Sequence, residues 1–134
     1  FIWPIEGAQV GQGVGSRIHP VYGYRSCHTG VDMGVPSGTP IRATAAGIVV
    51  INATGGPYGN HTLISHGNGL FSMYAHQSRF GASEGKRVRK GDVIGYVGST
   101  GYSTGPHLHF EIHIGGQPYD PLGWFGGDKA PVRC

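Results

Sequence analysis

His107-Leu-His-Phe-Glu-Ile-His-Ile114 is the stretch that decides the fold. Leu108, Phe110, Ile112 and Ile114 alternate with His107, His109, Glu111 and His113, the period of a pleated strand and not of a helix. One face therefore enters a core, and the other presents three imidazoles and a carboxylate, because residues two apart on a strand point the same way. The same pattern recurs upstream. Gly47-Ile-Val-Val-Ile51 reads as a buried strand closed by the turn segment Thr54-Gly-Gly-Pro-Tyr-Gly59. His61 to His66 and Leu70 to His76 make a hairpin across His66-Gly-Asn-Gly69, where Asn-Gly favours a tight turn. A shorter pair, Arg87 to Arg89 and Val93 to Val97, flanks Lys90-Gly-Asp92. Residues 1 to 39 read as a loop-heavy opening, with Gly11-Gln-Gly13-Val-Gly15 and Pro36-Ser-Gly38 marking turns.

Composition points the same way. Ile and Val total 21 against four Leu, and 26 Gly with nine Pro interrupt every long stretch, a balance that favours strands and turns. There is no Gly-X-Y period, so the glycine marks a packed fold and not a fibre. A chain of 134 residues is normally one domain around one core. The expectation is a compact, mostly β, antiparallel domain over residues 1–134 with few or no helices, a lead-in at 1–14 and a tail at 122–134. The net charge of +3 comes from scarcity of acids, with one cluster at Lys86-Arg87-Val-Arg89-Lys90 that reads as a solvated strand edge. No longer basic stripe interleaved with aromatics is present, which argues against nucleic acid. No apolar run has the length of a membrane span. The chain opens at Phe1, as a mature form or an excised domain does, with any signal segment outside it. Cys27 and Cys134 are too far apart for a Cys-x-x-Cys motif. They are either free, or bridged across a loop on the order of 100 residues, which would be worth roughly 4–5 kcal/mol and imply an oxidising compartment.

The chemistry-bearing residues gather in two short segments. His28 and Asp32 are four apart in His28-Thr-Gly-Val-Asp32, and converge if that segment is extended. His107 and His109 share a strand face. Imidazole and carboxylate donors suit Zn²⁺, which in catalytic sites takes three protein ligands and keeps a fourth position open. By spacing alone, surface or hydrogen-bonded histidines fit these motifs as well. Gly101-Tyr-Ser-Thr-Gly105 satisfies the Gly-x-Ser-x-Gly pattern of serine hydrolases, but Pro106 and a strand follow it where a helix is required, and no histidine lies beyond His113. Gly81-Ala-Ser-Glu-Gly-Lys86 is one residue short of a phosphate loop and lacks the following Ser or Thr.

A broader pattern links these segments: Gly15-Ser-Arg-Ile-His-Pro20, His28-Thr-Gly-Val-Asp-Met-Gly34, Pro36-Ser-Gly-Thr-Pro40, Ala46-Gly-Ile-Val49, Tyr58-Gly-Asn60, His66-Gly-Asn-Gly69, Tyr74-Ala-His76, Gly91-Asp-Val-Ile-Gly95 and the long run from Gly98 to Glu111. Over roughly residues 15 to 121 the chain resembles the lysostaphin-type (LytM-like) zinc endopeptidases that cut peptides in bacterial cell walls. The resemblance implies one Zn²⁺ ion held by His28, Asp32 and His109, with His76 and His107 as catalytic histidines, and all five positions carry the expected residue. It implies a groove over one sheet walled by long loops near residues 16–27, 52–60, 77–86 and 99–106, an extracytoplasmic location, and bacterial peptidoglycan peptides as substrate. A monomer is expected. The alternative is a cell-wall-binding or hydrolase-activating module on the same fold, which need not retain His76 and His107.

With no His-Glu-x-x-His motif to provide a glutamate base, His76 and His107 are the candidates to activate water, stabilise an oxyanion and protonate the leaving amine. Glu111 is a rival base, or an acceptor that orients an imidazole. His113 is expected at the strand's end in solvent, and His19, His61 and His66 at turns or the rim. Tyr22, Tyr24, Tyr58, Tyr102 and Phe80 either wall the groove or simply pack. The loops leave open whether the scissile bond lies in a glycine bridge or in direct cross-links and stems containing D-amino acids, and a bacterial hydrolase remodelling its own wall, a secreted bacteriocin and a phage lytic domain would all carry this sequence pattern.

Overall fold

Short β-branched runs separated by glycine turns produce eleven strands among the residues described by this computed structural model, namely 1–7, 9–11, 13–18, 25–101, 103 and 105–133. His19, Tyr22, Tyr24, Tyr102 and Cys134 lie outside the described residues. The strands are β1 (Gly15–Ile18), β2 (Arg25–His28), β3 (Val31–Gly34), β4 (Pro40–Arg42), β5 (Gly47–Ala53), β6 (Asn60–Gly67), β7 (Leu70–Phe80), β8 (Arg87–Val88), β9 (Val93–Val97), β10 (His107–Ile114) and β11 (Gln117–Tyr119). A single 3₁₀ turn, Pro121–Trp124, follows, with Asp120 accepting from the Leu122 backbone at its start. No helix among the described residues is long and apolar enough to cross a membrane.

β1 and β2 pair as a separate ribbon, and the other nine strands form one sheet in which β11, β10, β7, β6, β5 and β8 lie in order. Every pairing is antiparallel. The expected mostly-β antiparallel fold is therefore the observed one. β3 pairs with the first half of β10, while β9 joins β4 to the far end of β7. The basic cluster sits where its charges are least costly, since β8 is the edge at one end of that order.

Leu108, Phe110 and Ile112 are fully buried with Val31, Met33, Ile41, Ile64, Tyr74 and Ile94. Burying a side chain the size of Phe110 contributes about 1.5–3 kcal/mol. The lead-in and the tail seal this core. Ile5 is buried in it, and Trp3 stacks on Phe125 at 3.7 Å between ring centroids while meeting Phe110 edge-on.

Four expectations need correction. The strand at Gly47 to Ile51 is not buried along its length: Val49 is buried, but Val50 and Ile51 are 39% and 42% exposed. The loop-heavy opening contains β1 to β3, and β4 follows directly after it; these segments of three or four residues are too short for their pattern to mark a strand, and β3 takes its conformation from pairing with β10 and β4 from pairing with β9. Ile114 is not core but 36% exposed, because β10 ends there in the Gly115-Gly116 turn. The strand beginning at Arg87 stops at Val88, since the Arg89 amide donates to the Asp92 carboxylate at 2.8 Å and closes a turn instead.

Candidate metal centre

Cross-strand register assembles the site. β10 places His109 opposite Asp32 of β3 on one side and opposite Ala75 of β7 on the other, so the residue after Ala75, His76, arrives beside it. β2 ends at His28, and the Thr29-Gly30 corner turns the chain back into β3. Only glycine fits that corner, because a Cβ on Gly30 would collide with the Phe110 carbonyl and approach the Glu111 side chain. The polar face of β10 is thus covered, with His109 5% and Glu111 1% exposed.

Imidazole nitrogens converge on one carboxylate oxygen. Asp32 Oδ1 lies 3.2 Å from His28 Nε2, 3.1 Å from His109 Nδ1 and 3.6 Å from His107 Nε2. Donor atoms of His28, Asp32 and His109 all lie within 4.8 Å of one another. His28 donates from Nδ1 to the Gly13 carbonyl at 2.6 Å, which leaves Nε2 to the cluster. That Nε2 is buried and, despite its nearness to Asp32, has no aligned hydrogen-bond partner. A buried polar atom left in this way is costly unless something else satisfies it, and two imidazoles with a carboxylate suit a divalent cation such as zinc.

The electrostatics fit a cation as well. Burial works against ionised Asp32, but the hydrogen bond from His109 and the nearby His109 and His28 rings outweigh it and hold the carboxyl well below its usual range. Burial likewise opposes a charged His109, yet Asp32 and Glu111 raise it to about 9. Two ionised carboxylates flank one imidazole, and a proton on that imidazole supplies the positive charge the pocket favours.

Glu111 is the buried anchor behind this cluster. Its Oε2 accepts from His109 Nε2 at 2.6 Å, from the Tyr58 hydroxyl at 2.8 Å and from the Thr29 hydroxyl. Its Oε1 accepts from His113 Nε2 at 2.6 Å. With four donors around it Glu111 is tied to orienting His109, the arrangement by which a carboxylate fixes the tautomer of a ligating histidine. His113 is accordingly not simply solvated. Thr29 and Tyr58 are the participants that sequence reasoning missed or left open, although both lie in quoted motifs, Thr29 next to His28 and Tyr58 in Tyr58-Gly-Asn60. The Tyr58 ring also stacks 5.7 Å from His109.

His76 and His107 stand side by side, ring centroids 4.7 Å apart, with His76 5.9 Å from His109. Each is held through Nδ1, His76 donating to the Thr100 carbonyl at 2.6 Å and His107 to the Gly105 carbonyl at 3.0 Å. Both therefore leave Nε2 to the site. Burial lowers His76 to about 4, reinforced by the neighbouring His107 and His109 and partly offset by Thr100, so it is neutral at physiological pH. All five expected residues are brought together. His61 stands at the rim beside Tyr58, Phe80 lines a separate recess with Asn52 and Lys86, and His66 lies in a hydrogen-bonded chain elsewhere.

An antiparallel sheet carrying two histidines and an aspartate around one point, with two further anchored histidines beside them, has the donor set of a hydrolytic metal site. The sequence places it further: residues 26–121 match the model of peptidase family M23, and the chain belongs to that family. The DD-carboxypeptidase/endopeptidase Mpg of Neisseria meningitidis is 47% identical over 121 residues, 90% of this chain and 28% of that protein. The chain thus spans about a quarter of the length of the curated relatives it matches. Among solved structures, the catalytic domain of the antimicrobial peptidase lysostaphin from Staphylococcus simulans superposes with a TM-score of 0.81 at 31% identity, covering 90% of this chain and 93% of that one. A zinc-containing peptidase from Vibrio cholerae gives 0.81 at 33% identity over 88% of this chain and 37% of that one.

Proposed function

We propose that residues 1–134 form one catalytic domain, a zinc-dependent endopeptidase that hydrolyses peptide bonds in the stems or cross-links of bacterial peptidoglycan outside the cytoplasm. The observation that carries this proposal is the pairing of a His28, Asp32 and His109 donor cluster with two histidines whose Nδ1 atoms are tied back to carbonyls. A module that only bound cell wall would have no use for the second pair. The DD activity named for the Neisseria relative favours bonds of that type over a glycine bridge.

His28 Nε2, Asp32 and His109 Nδ1 would hold the ion. When bound, zinc supplies Lewis acidity, polarising a carbonyl and bringing the acidity of water near neutrality. Neutral His76 can take a proton at Nε2, because its own proton is committed to Thr100 through Nδ1. His107 is held in the same tautomer with Nε2 towards Asp32, so one imidazole can accept a proton from water while the other, once protonated, stabilises developing negative charge or gives its proton to the leaving amine. Glu111 keeps His109 in the orientation that directs Nδ1 at Asp32.

The test is cleavage of purified peptidoglycan, read as new amino termini and by mass spectrometry of released fragments. His76→Ala and His107→Ala should keep zinc and lose roughly 10²- to 10⁴-fold in rate. Near-normal cleavage by both variants would overturn the assignment.

A further inference from the structure

His76 has a backbone φ of 61°, the left-handed region that a non-glycine residue occupies only at a cost and that persists when the surroundings over-determine it. Those surroundings come from two segments that also border the site. The His76 amide donates to the Tyr58 carbonyl at 2.9 Å, and its ring donates to the Thr100 carbonyl. The Thr100 hydroxyl accepts from the Asn60 amide at 3.0 Å and donates to the Gln77 carbonyl at 2.9 Å. Asn60 Nδ2 donates to the same Gln77 carbonyl at 3.0 Å.

The two segments touch backbone to backbone. A Cβ on Gly59 would collide with Thr100 and Gly101, and a Cβ on Gly101 would collide with Gly59, Pro57 and Tyr58. Both glycines also have positive φ, 60° and 78°, so any side chain is excluded twice. Further along the same segment, the Gly105 carbonyl faces His107 Nδ1, with the Ser103 hydroxyl 3.1 Å from the same nitrogen. Gly101, Ser103 and Gly105 belong to the motif that mimics a serine hydrolase.

We propose that Thr100, seated against Gly59 by Gly101, is a positioning residue that fixes the tautomer and aim of His76 through Nδ1, and that Ser103 and Gly105 of the false serine-hydrolase motif hold His107 in the same way. The inference rests on the peptidase assignment above. It says that the rate of the chemical step depends on this backbone clamp, while substrate binding and metal retention do not.

Thr100→Val removes the hydroxyl and both of its bonds at nearly constant shape, and Thr100→Ser restores them. Zinc content, kcat and KM on a peptidoglycan fragment are measured for wild type and both variants, together with ¹⁵N-histidine NMR of His76. Expected for Thr100→Val are unchanged zinc, KM within about twofold and kcat lower by roughly 10- to 100-fold, the range a small misplacement of a catalytic group produces. In that variant the NMR should show a mixture of His76 tautomers, and Thr100→Ser should recover both rate and spectrum. Gly101→Ala should act in the same direction. A wild-type kcat and a single Nδ1–H tautomer in Thr100→Val would overturn the clamp, as would a lost rate that Thr100→Ser does not recover. Wild-type protein that cuts no peptidoglycan would instead overturn the peptidase assignment, and the tautomer measurement would still judge the clamp.

Discussion

Replacing Glu111 by glutamine isolates what one buried charge contributes to the site. The amide has the shape of the carboxylate and can put its oxygen where Oε2 now accepts from His109, Tyr58 and Thr29. Those bonds then lose their charge. A hydrogen bond to a charged group contributes roughly 1.5–3 kcal/mol and a neutral one about 0.5–1.5, so three bonds together lose about 3 kcal/mol. The amide NH₂ turns towards His113, whose side chain is 24% exposed and free to present a lone pair by changing tautomer. The neutral amide is also cheaper to bury than a carboxylate, which returns part of the loss. The net expectation for Glu111→Gln is a destabilisation of about 1–3 kcal/mol, read from urea unfolding of chelator-treated protein. Zinc affinity should fall by roughly 10- to 100-fold, read by competition with a chromophoric chelator, because His109 loses its orienting anion. Glu111→Ala should be worse, since it leaves buried donors without any acceptor. Zinc affinity within twofold of wild type, with stability within about 0.5 kcal/mol, would refute the role given to Glu111.

Three further outcomes test other parts of the molecule. Tyr74→Phe should cost about 1–3 kcal/mol in urea unfolding, because the buried hydroxyl accepts the Thr44 amide at 3.0 Å and bonds Ser72 at 2.7 Å. Trp3→Ala should cost about 2–4 kcal/mol with zinc affinity unchanged, since Trp3 closes the core against Phe110 and Phe125. Burial lowers His66, with the Ala46 carbonyl opposing, and the ring donates to Ala46 and accepts from Ser72 only when neutral. Its folded pKa is below that of the unfolded chain, so its contribution is fully present above about pH 6.5 and is lost as pH falls towards the folded value. His66→Gln should therefore lose less stability than wild type between pH 7.5 and 5, measured as the shift in urea midpoint.

The strands that β10, β6 and β7 supply were legible because each carries its own alternation and its own turn, as at Asn68-Gly69. β3 and β4 were not, because Val31–Gly34 and Pro40–Arg42 become strands by pairing with partners about 75 and 55 residues downstream, a non-local cause that no window of sequence contains. The five residues that the structure brings together were legible through their motifs, but the support behind them was not. Glu111 was visible as a carboxylate on the right face, whereas its donors Thr29 and Tyr58 come from two other segments. Gly59 and Gly101 read as ordinary turn glycines, and only their mutual contact shows why a side chain is excluded at each. The alternation in β10 set its polar face apart from the core but could not show that this face is itself largely covered, because the Thr29-Gly30 corner that lies over it comes from a distant segment.

The central claim is that one zinc ion on His28, Asp32 and His109 enables the neighbouring histidines to hydrolyse peptidoglycan. Its most direct test is to measure metal content and release of new amino termini on the same samples, after complete chelation and during stepwise return of Zn²⁺, for wild type and Asp32→Ala. The expected result is no cleavage without metal, recovery complete at one zinc per chain, and neither tight zinc binding nor recovery in Asp32→Ala. Full cleavage by metal-free protein, or by an Asp32→Ala variant that holds no zinc, would contradict it.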